Sequence, residues 1–177
     1  QMSQLLDDYI AHYSSRIARY SKPFDEIVAA LPVLKAKSVT LAVCTNKREG
    51  LARQLLRELG MIDEFAVIAG GDTFAASKPD PLPLLKTIEL AGGEASQTVF
   101  VGDSRIDFET AQAAKIPIVG LSYGYSDVPM EELGPDILCR PGEDVAEPVY
   151  GAPARWIDAS AREEAALTGQ TIVTPSE

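Results

Sequence analysis

Asp103 and Asp107 stand four residues apart in "VFVGDSRIDFETAQAAKIPIV", residues 99–119, directly after the apolar run Val99–Phe100–Val101 and Gly102. Such a run, ended by glycine, reads as a buried strand, and the acids fall where it passes into a helix. Carboxylates at the carboxyl end of a buried strand usually hold something positive. Gly-Asp with a second Asp four residues on suggests a hard-cation site, because Mg²⁺ prefers carboxylate oxygens and water. Two other candidate strand ends carry polar groups. Thr45–Asn46–Lys47 follows "SVTLAVC", residues 38–44. A hydroxyl and an amide there can cap the next helix or bind an anion with its N-terminus. Lys78 precedes Pro79 in "GGDTFAASKPDP", after the run "FAVIAGG" at 65–71. Each feature alone has a plain explanation: a capping aspartate, a capping threonine, a solvated lysine. Their appearance together at three strand ends is harder to explain that way.

The elements that must position these groups alternate along the chain. Leu5, Tyr9, Tyr13 and Ile17 recur every four residues, with Leu6 and Ile10 beside them, which predicts a helix from about Ser3. His12, the single histidine, lies off that stripe and reads as solvated. Lys22–Pro23 ends this helix; Phe24, Ile27, Val28 and Leu31 begin another, which Pro32 kinks or restarts. Strands are expected at 38–44, 65–71 and 98–101, and later in "IPIVGL" and "DILC". Helices are expected through Leu51–Leu59, Leu84–Ala91 and Ile106–Lys115. Strands separated by helices of about 10–15 residues imply an α/β fold whose parallel sheet is covered on both faces. The ligand crevice of such a sheet lies at the carboxyl ends of its strands.

Composition sets the bounds. The chain has 177 residues, 46% hydrophobic and 24% charged, as expected of a globular domain with one core. A net charge of −10 argues against nucleic acid and anionic membranes as partners. No run approaches the ~18 apolar residues of a membrane span, and no stretch reads as a signal peptide. Cys44 and Cys139 match no ligand spacing and read as reduced core thiols of a cytoplasmic protein.

Residues 1–145 resemble the haloacid dehalogenase-like phosphatases, in particular the phosphoglycolate phosphatase branch. "VCTNK" is similar to the second motif of that family, "SKPDP" to the third and "VFVGDSRIDFETA" to the fourth; "GGDTF", "SYGYSDVP" and "LGPD" also resemble that branch. The resemblance implies a doubly wound, Rossmann-like sheet and Mg²⁺-dependent hydrolysis of a small phosphomonoester such as phosphoglycolate. Thr45 would donate to the transferring phosphoryl group with Asn46 beside it, and Lys78 would neutralise charge. Asp103 would bind Mg²⁺, supported by Ser104 and Asp107.

One motif of the family has no counterpart. The sequence contains no Asp-x-Asp, so the nucleophile and the general acid that the resemblance implies are not matched. Asp7–Asp8 are adjacent acids on the amphipathic N-terminal helix. That helix resembles the end of the family's helical cap, which assigns 1–22 to a cap remnant and 23–145 to a core lacking its central first strand. The expectation is a truncated phosphatase with little or no turnover. Without that strand, unpaired edges flank an empty central position. The flanking strands close up, something fills the slot, or the edges invite self-association. Residues 146–177 form a third unit: "EPVYGAPARWI" resembles a fragment of the flagellar export-gate protein FlhA. Here Ser160 would cap a helix at 161–167, Trp156 reads as a packing anchor, and "TIVT" is strand-like. The segment Gln170–Thr174 is expected to dock on the sheet at the vacant central position. The alternative to a phosphatase remnant is a recombined or designed chimera, or a non-catalytic binding or scaffold module.

Overall fold

The computed structural model describes residues 22–156 and 170–173. The expectations for the helix near Ser3, for His12, Asp7 and Asp8, and for the helix at 161–167 lie outside the described residues. Among the described residues six parallel strands form one sheet: β1 (Thr40–Cys44), β2 (Val67–Ala69), β3 (Thr98–Gly102), β4 (Ile118–Leu121), β5 (Ile137–Cys139) and β6 (Gln170–Val173). Their order across the sheet is β2-β1-β6-β3-β4-β5. The central position is therefore filled, and by the expected segment. Thr40 and Thr98 both stand level with Gln170, and Ala42 and Phe100 both stand level with Ile172.

Helices α1 (Asp25–Ala36), α2 (Glu49–Glu58), α3 (Leu82–Leu90), α4 (Arg105–Ala114), α5 (Met130–Leu133) and α6 (Ala146–Trp156) connect or follow the strands. Side chains alternate between the faces of a strand, and the core divides accordingly. On one face Leu41, Val99, Val101, Val119 and Leu121 meet Ile27, Leu31 and Leu34 of α1 and Val149 of α6. Val43 of the same parity meets Ala52 and Leu56 of α2. On the other face Ala42, Cys44, Phe100 and Ile118 meet Leu84 and Ile88 of α3 and Ala111 of α4. Both faces of the central strands are thus buried, which is why their sequences are continuous apolar runs.

Two local outcomes depart from simple breaker rules. The α1 helix runs through Pro32 without restarting, because Pro32 lies on its exposed side while Ile27, Ala30, Leu31 and Leu34 form the buried stripe. No helix is expected over 146–156, yet α6 forms there and docks through Val149. Pro148 falls in its first turn, where a missing N–H costs no intrahelical bond, and Asp144 accepts from the Ala146 N–H at 2.9 Å. Cys44 and Cys139 are both free and buried, as expected. Burial pushes both thiols up, that of Cys139 to about 11.

Candidate functional site

At the carboxyl edge of the sheet the ends of β1 and β3, the loop after β2, the start of α4 and the loop after β4 enclose a crevice of about 160 Å³. Thr45, Asn46, Lys78, Asp103, Ser104 and Asp107, the six residues singled out in the sequence, all line it. Thr45, Lys78, Asp103 and Asp107 are buried. Ile106 and Tyr125 complete the lining.

Each polar group is held by specific contacts. Thr45 continues β1, its N–H donating to the Ala69 carbonyl at 3.0 Å, and its Oγ1 accepts from the Lys47 N–H at 3.2 Å. Asn46 turns its amide onto the next loop: Nδ2 donates to the Lys78 carbonyl and Oδ1 accepts from the Lys78 N–H, both at 2.9 Å. The loop carrying the lysine is thereby fastened to the loop carrying the threonine. Lys78 Nζ forms a buried ion pair with Asp107 Oδ1 at 2.5 Å and lies 5.5 Å from the centre of the Phe100 ring. The ring and the carboxylate replace the water lost on burying an ammonium.

Asp107 is almost fully occupied. Its Oδ2 accepts from Ser104 Oγ at 2.8 Å and from the N–H groups of Asp103 and Ser104 at 3.2 Å each. Ser104 Oγ accepts in turn from the Asp107 N–H at 3.3 Å. This is a capping box, so the cap of α4 is Ser104 and not Asp103, the residue for which capping is the plain sequence explanation. Asp103 is freed for another task. Its Oδ2 is buried with no hydrogen-bond partner. Removal from water, followed by the nearby Asp107, raises its affinity for a proton. Lys78 and the backbone N–H groups of Asp103 and Tyr125 oppose that, and the balance pushes it up to about 6. Gly124 abuts the same carboxyl group so closely that a Cβ there would overlap it.

An orphaned, buried carboxylate oxygen beside a solvent-reaching crevice suits a hard cation. Among the described residues no three acids, histidines or cysteines cluster to form a complete metal cage. A cation would therefore take one carboxylate from Asp103 and fill its sphere with water and ligand oxygens, a manner suited to Mg²⁺.

Strand-end reasoning missed Tyr125 and Ile106. The signal was present, since "IPIVGL" is followed by Ser122–Tyr123–Gly124–Tyr125, another polar and glycine-bearing strand end. Ile106 belongs to the first turn of α4, where an isolated apolar residue between Arg105 and Asp107 gives no periodic signal.

Comparison with known proteins shows the family and the fold. Residues 1–121 match the family model of haloacid dehalogenase-like hydrolases. A phosphoglycolate phosphatase from Agrobacterium fabrum is 46% identical over 134 residues, covering 76% of this chain and 58% of that protein. One from Mesorhizobium japonicum is 42% identical over 135 residues, covering 76% and 60%. The crystal structure of a predicted phosphoglycolate phosphatase from Haemophilus somnus superposes with a TM-score of 0.69 at 31% identity, covering 76% of this chain and 59% of that one. The chain thus spans less than two thirds of the length of the curated relatives it matches.

Proposed function

Since the chain belongs to the haloacid dehalogenase-like hydrolases, we propose that its crevice is the phosphoryl-binding and Mg²⁺-binding part of a phosphatase site of the phosphoglycolate phosphatase type. The observation that carries this reading is the buried Lys78, held between Asp107 and Asn46 within one small crevice that also holds Thr45 and Asp103. In this reading the Thr45 hydroxyl and the Lys78 ammonium receive phosphoryl oxygens, whose spreading negative charge is what such donors stabilise. Asn46 acts by fixing Lys78. Asp103 is the metal ligand, and Ser104 and Asp107 position it together with the lysine.

The charge count supports a cation. Lys78 and Asp107 neutralise each other, so an ionised Asp103 leaves the site negative and hostile to phosphate. Bound Mg²⁺ would reverse that sign and act as a Lewis acid toward phosphoryl oxygen. The order of binding is then metal first, anion second.

The sequence has no Asp-x-Asp. Groups of a catalytic unit fail together rather than additively, so turnover by this chain alone should fall by roughly 10⁴-fold or more from that of an ordinary enzyme. Calorimetric titration with inorganic phosphate, with and without Mg²⁺, tests the binding claim beside a Mg²⁺-dependent assay on phosphoglycolate. The expected result is Mg²⁺-dependent phosphate binding, lost in Lys78→Ala, with hydrolysis near background. Ordinary phosphatase rates abolished by Asp103→Asn would show that another carboxylate serves as nucleophile. Absence of phosphate binding would overturn the reading.

A further inference from the structure

Two lining residues take no part in the chemistry assigned above. Ile106 and Tyr125 are the apolar residues of the crevice, and they are 40% and 80% exposed. An aromatic ring so exposed contributes little to the core, yet its backbone is fastened on both sides. Gly124 is pressed against the Asp103 carboxyl group, so closely that a Cβ there would overlap it. Ser126 Oγ accepts from the Arg105 N–H at 3.1 Å, and Asp127 pairs with the Arg105 guanidinium at 2.8 Å. The loop after β4 is thus tied to the first turn of α4, the turn that carries Ile106. The ties hold Tyr125 and Ile106 in the lining of one crevice.

We infer that Ile106 and Tyr125 are the specificity-determining wall of the site, gripping the carbon portion of the ligand whose phosphoryl group lies against Thr45 and Lys78. The inference rests on the phosphoryl-site reading and deepens it by naming a ligand class. The crevice, at about 160 Å³, falls well below the ~300–1,000 Å³ of pockets for drug-sized ligands. It suits a phosphomonoester with a compact organic part of a few heavy atoms. The Tyr125 ring offers such a group an apolar face, and its phenol offers one hydrogen bond to a polar end. Inorganic phosphate, having no organic part, would not use this wall.

That difference supplies the test. Binding of inorganic phosphate and of phosphoglycolate is measured by titration calorimetry in the presence of Mg²⁺ for the unsubstituted chain, Tyr125→Ala, Tyr125→Phe and Ile106→Ala. Tyr125→Ala and Ile106→Ala should each weaken phosphoglycolate about tenfold, or ~1.4 kcal/mol, while inorganic phosphate changes less than about twofold. Tyr125→Phe should fall between if the phenol is used. Equal losses for the two ligands, or no loss for phosphoglycolate, overturn the inference while leaving the phosphoryl site standing. Failure of the unsubstituted chain to bind inorganic phosphate overturns both.

Discussion

Asp103 is the residue on which the site's electrostatics turn. The residue is 6% exposed, with one carboxyl oxygen unpartnered, and folding raises its pKa from 3.8 to about 6. Folding therefore favours the protonated acid. Its contribution to stability is fully present below pH 3.8 and is lost as pH rises through about 6. Asp103→Asn should accordingly raise the stability of the metal-free chain near neutral pH by on the order of 3 kcal/mol and change it little in strong acid. Thermal melts of both proteins across that range check this. Mg²⁺ should raise the melting temperature of the unsubstituted protein at neutral pH and leave the variant unmoved. A variant less stable at neutral pH would show that the buried oxygen has a protein partner. That Asp103 matters is legible in the sequence, because a Gly-Asp closing an apolar run announces a strand end. Its freedom from capping is not legible, because Ser104 and Asp103 are both good caps and only the capping-box contacts distinguish them.

Among the elements, the loops after β1 and β2 behave as one body. Besides the Asn46 clasp on Lys78, Gly71 donates to the Lys47 carbonyl at 2.8 Å, and the Glu49 N–H donates to Asp72 Oδ1 at 2.7 Å. Thr73 Oγ1 donates to Glu49 Oε2 at 2.6 Å and accepts from the Gly70 N–H at 2.8 Å. Glu49 Oε1 pairs with Arg53 at 2.7 Å. The Thr73 hydroxyl, followed by Arg53, holds the Glu49 carboxyl group below its usual range. Thr73→Val removes both hydroxyl bonds at nearly constant shape. It should cost about 1–2 kcal/mol and weaken phosphate binding several-fold, although Thr73 is not in the crevice lining. Because Glu49 is depressed, that loss should be full above its ordinary carboxylate pKa and shrink as pH falls below it. Chemical denaturation and phosphate titration of the variant, with Thr73→Ser as the rescue, decide it; an unchanged phosphate affinity would show the clamp to be structural only. At this scale the sequence was informative where short apolar runs alternate with helical patterns, and five strands follow from it. It was misleading at α6, where Pro148, Gly151 and Pro153 argue against a helix and only the docking of Val145, Ala146 and Val149 explains one. It was silent on the short α5, whose four residues carry too little pattern to read.

The whole molecule depends on a strand that arrives from far along the chain. Because α6 belongs to the core, removing residues 147–177 would conflate the loss of a helix with the loss of β6. Removing 157–177 isolates the strand. That deletion exposes the facing edges of β1 and β3. It should forfeit several kcal/mol, a large share of the ~5–15 kcal/mol that typically holds a domain together, and promote self-association. Calorimetry and light scattering check both effects; an unchanged melting temperature and mass would mean that β6 adds nothing to the sheet. That a strand from elsewhere in the chain would lie between β1 and β3 could be anticipated from motif order, and its identity from one short β-branched segment without a neighbour. The location of β6 also has a kinetic consequence. During synthesis β1 and β3 emerge before β6, so the edges that will flank it, rows of backbone N–H and C=O groups, are made before that partner. Pairing of those two strands with each other competes with the native arrangement and must be undone before β6 can enter. Closing the sheet also means bringing Gln170 beside Thr40, a contact across nearly the full described chain, and such long closures slow folding. The innermost strand of the sheet in space is thus the last of the described strands in time.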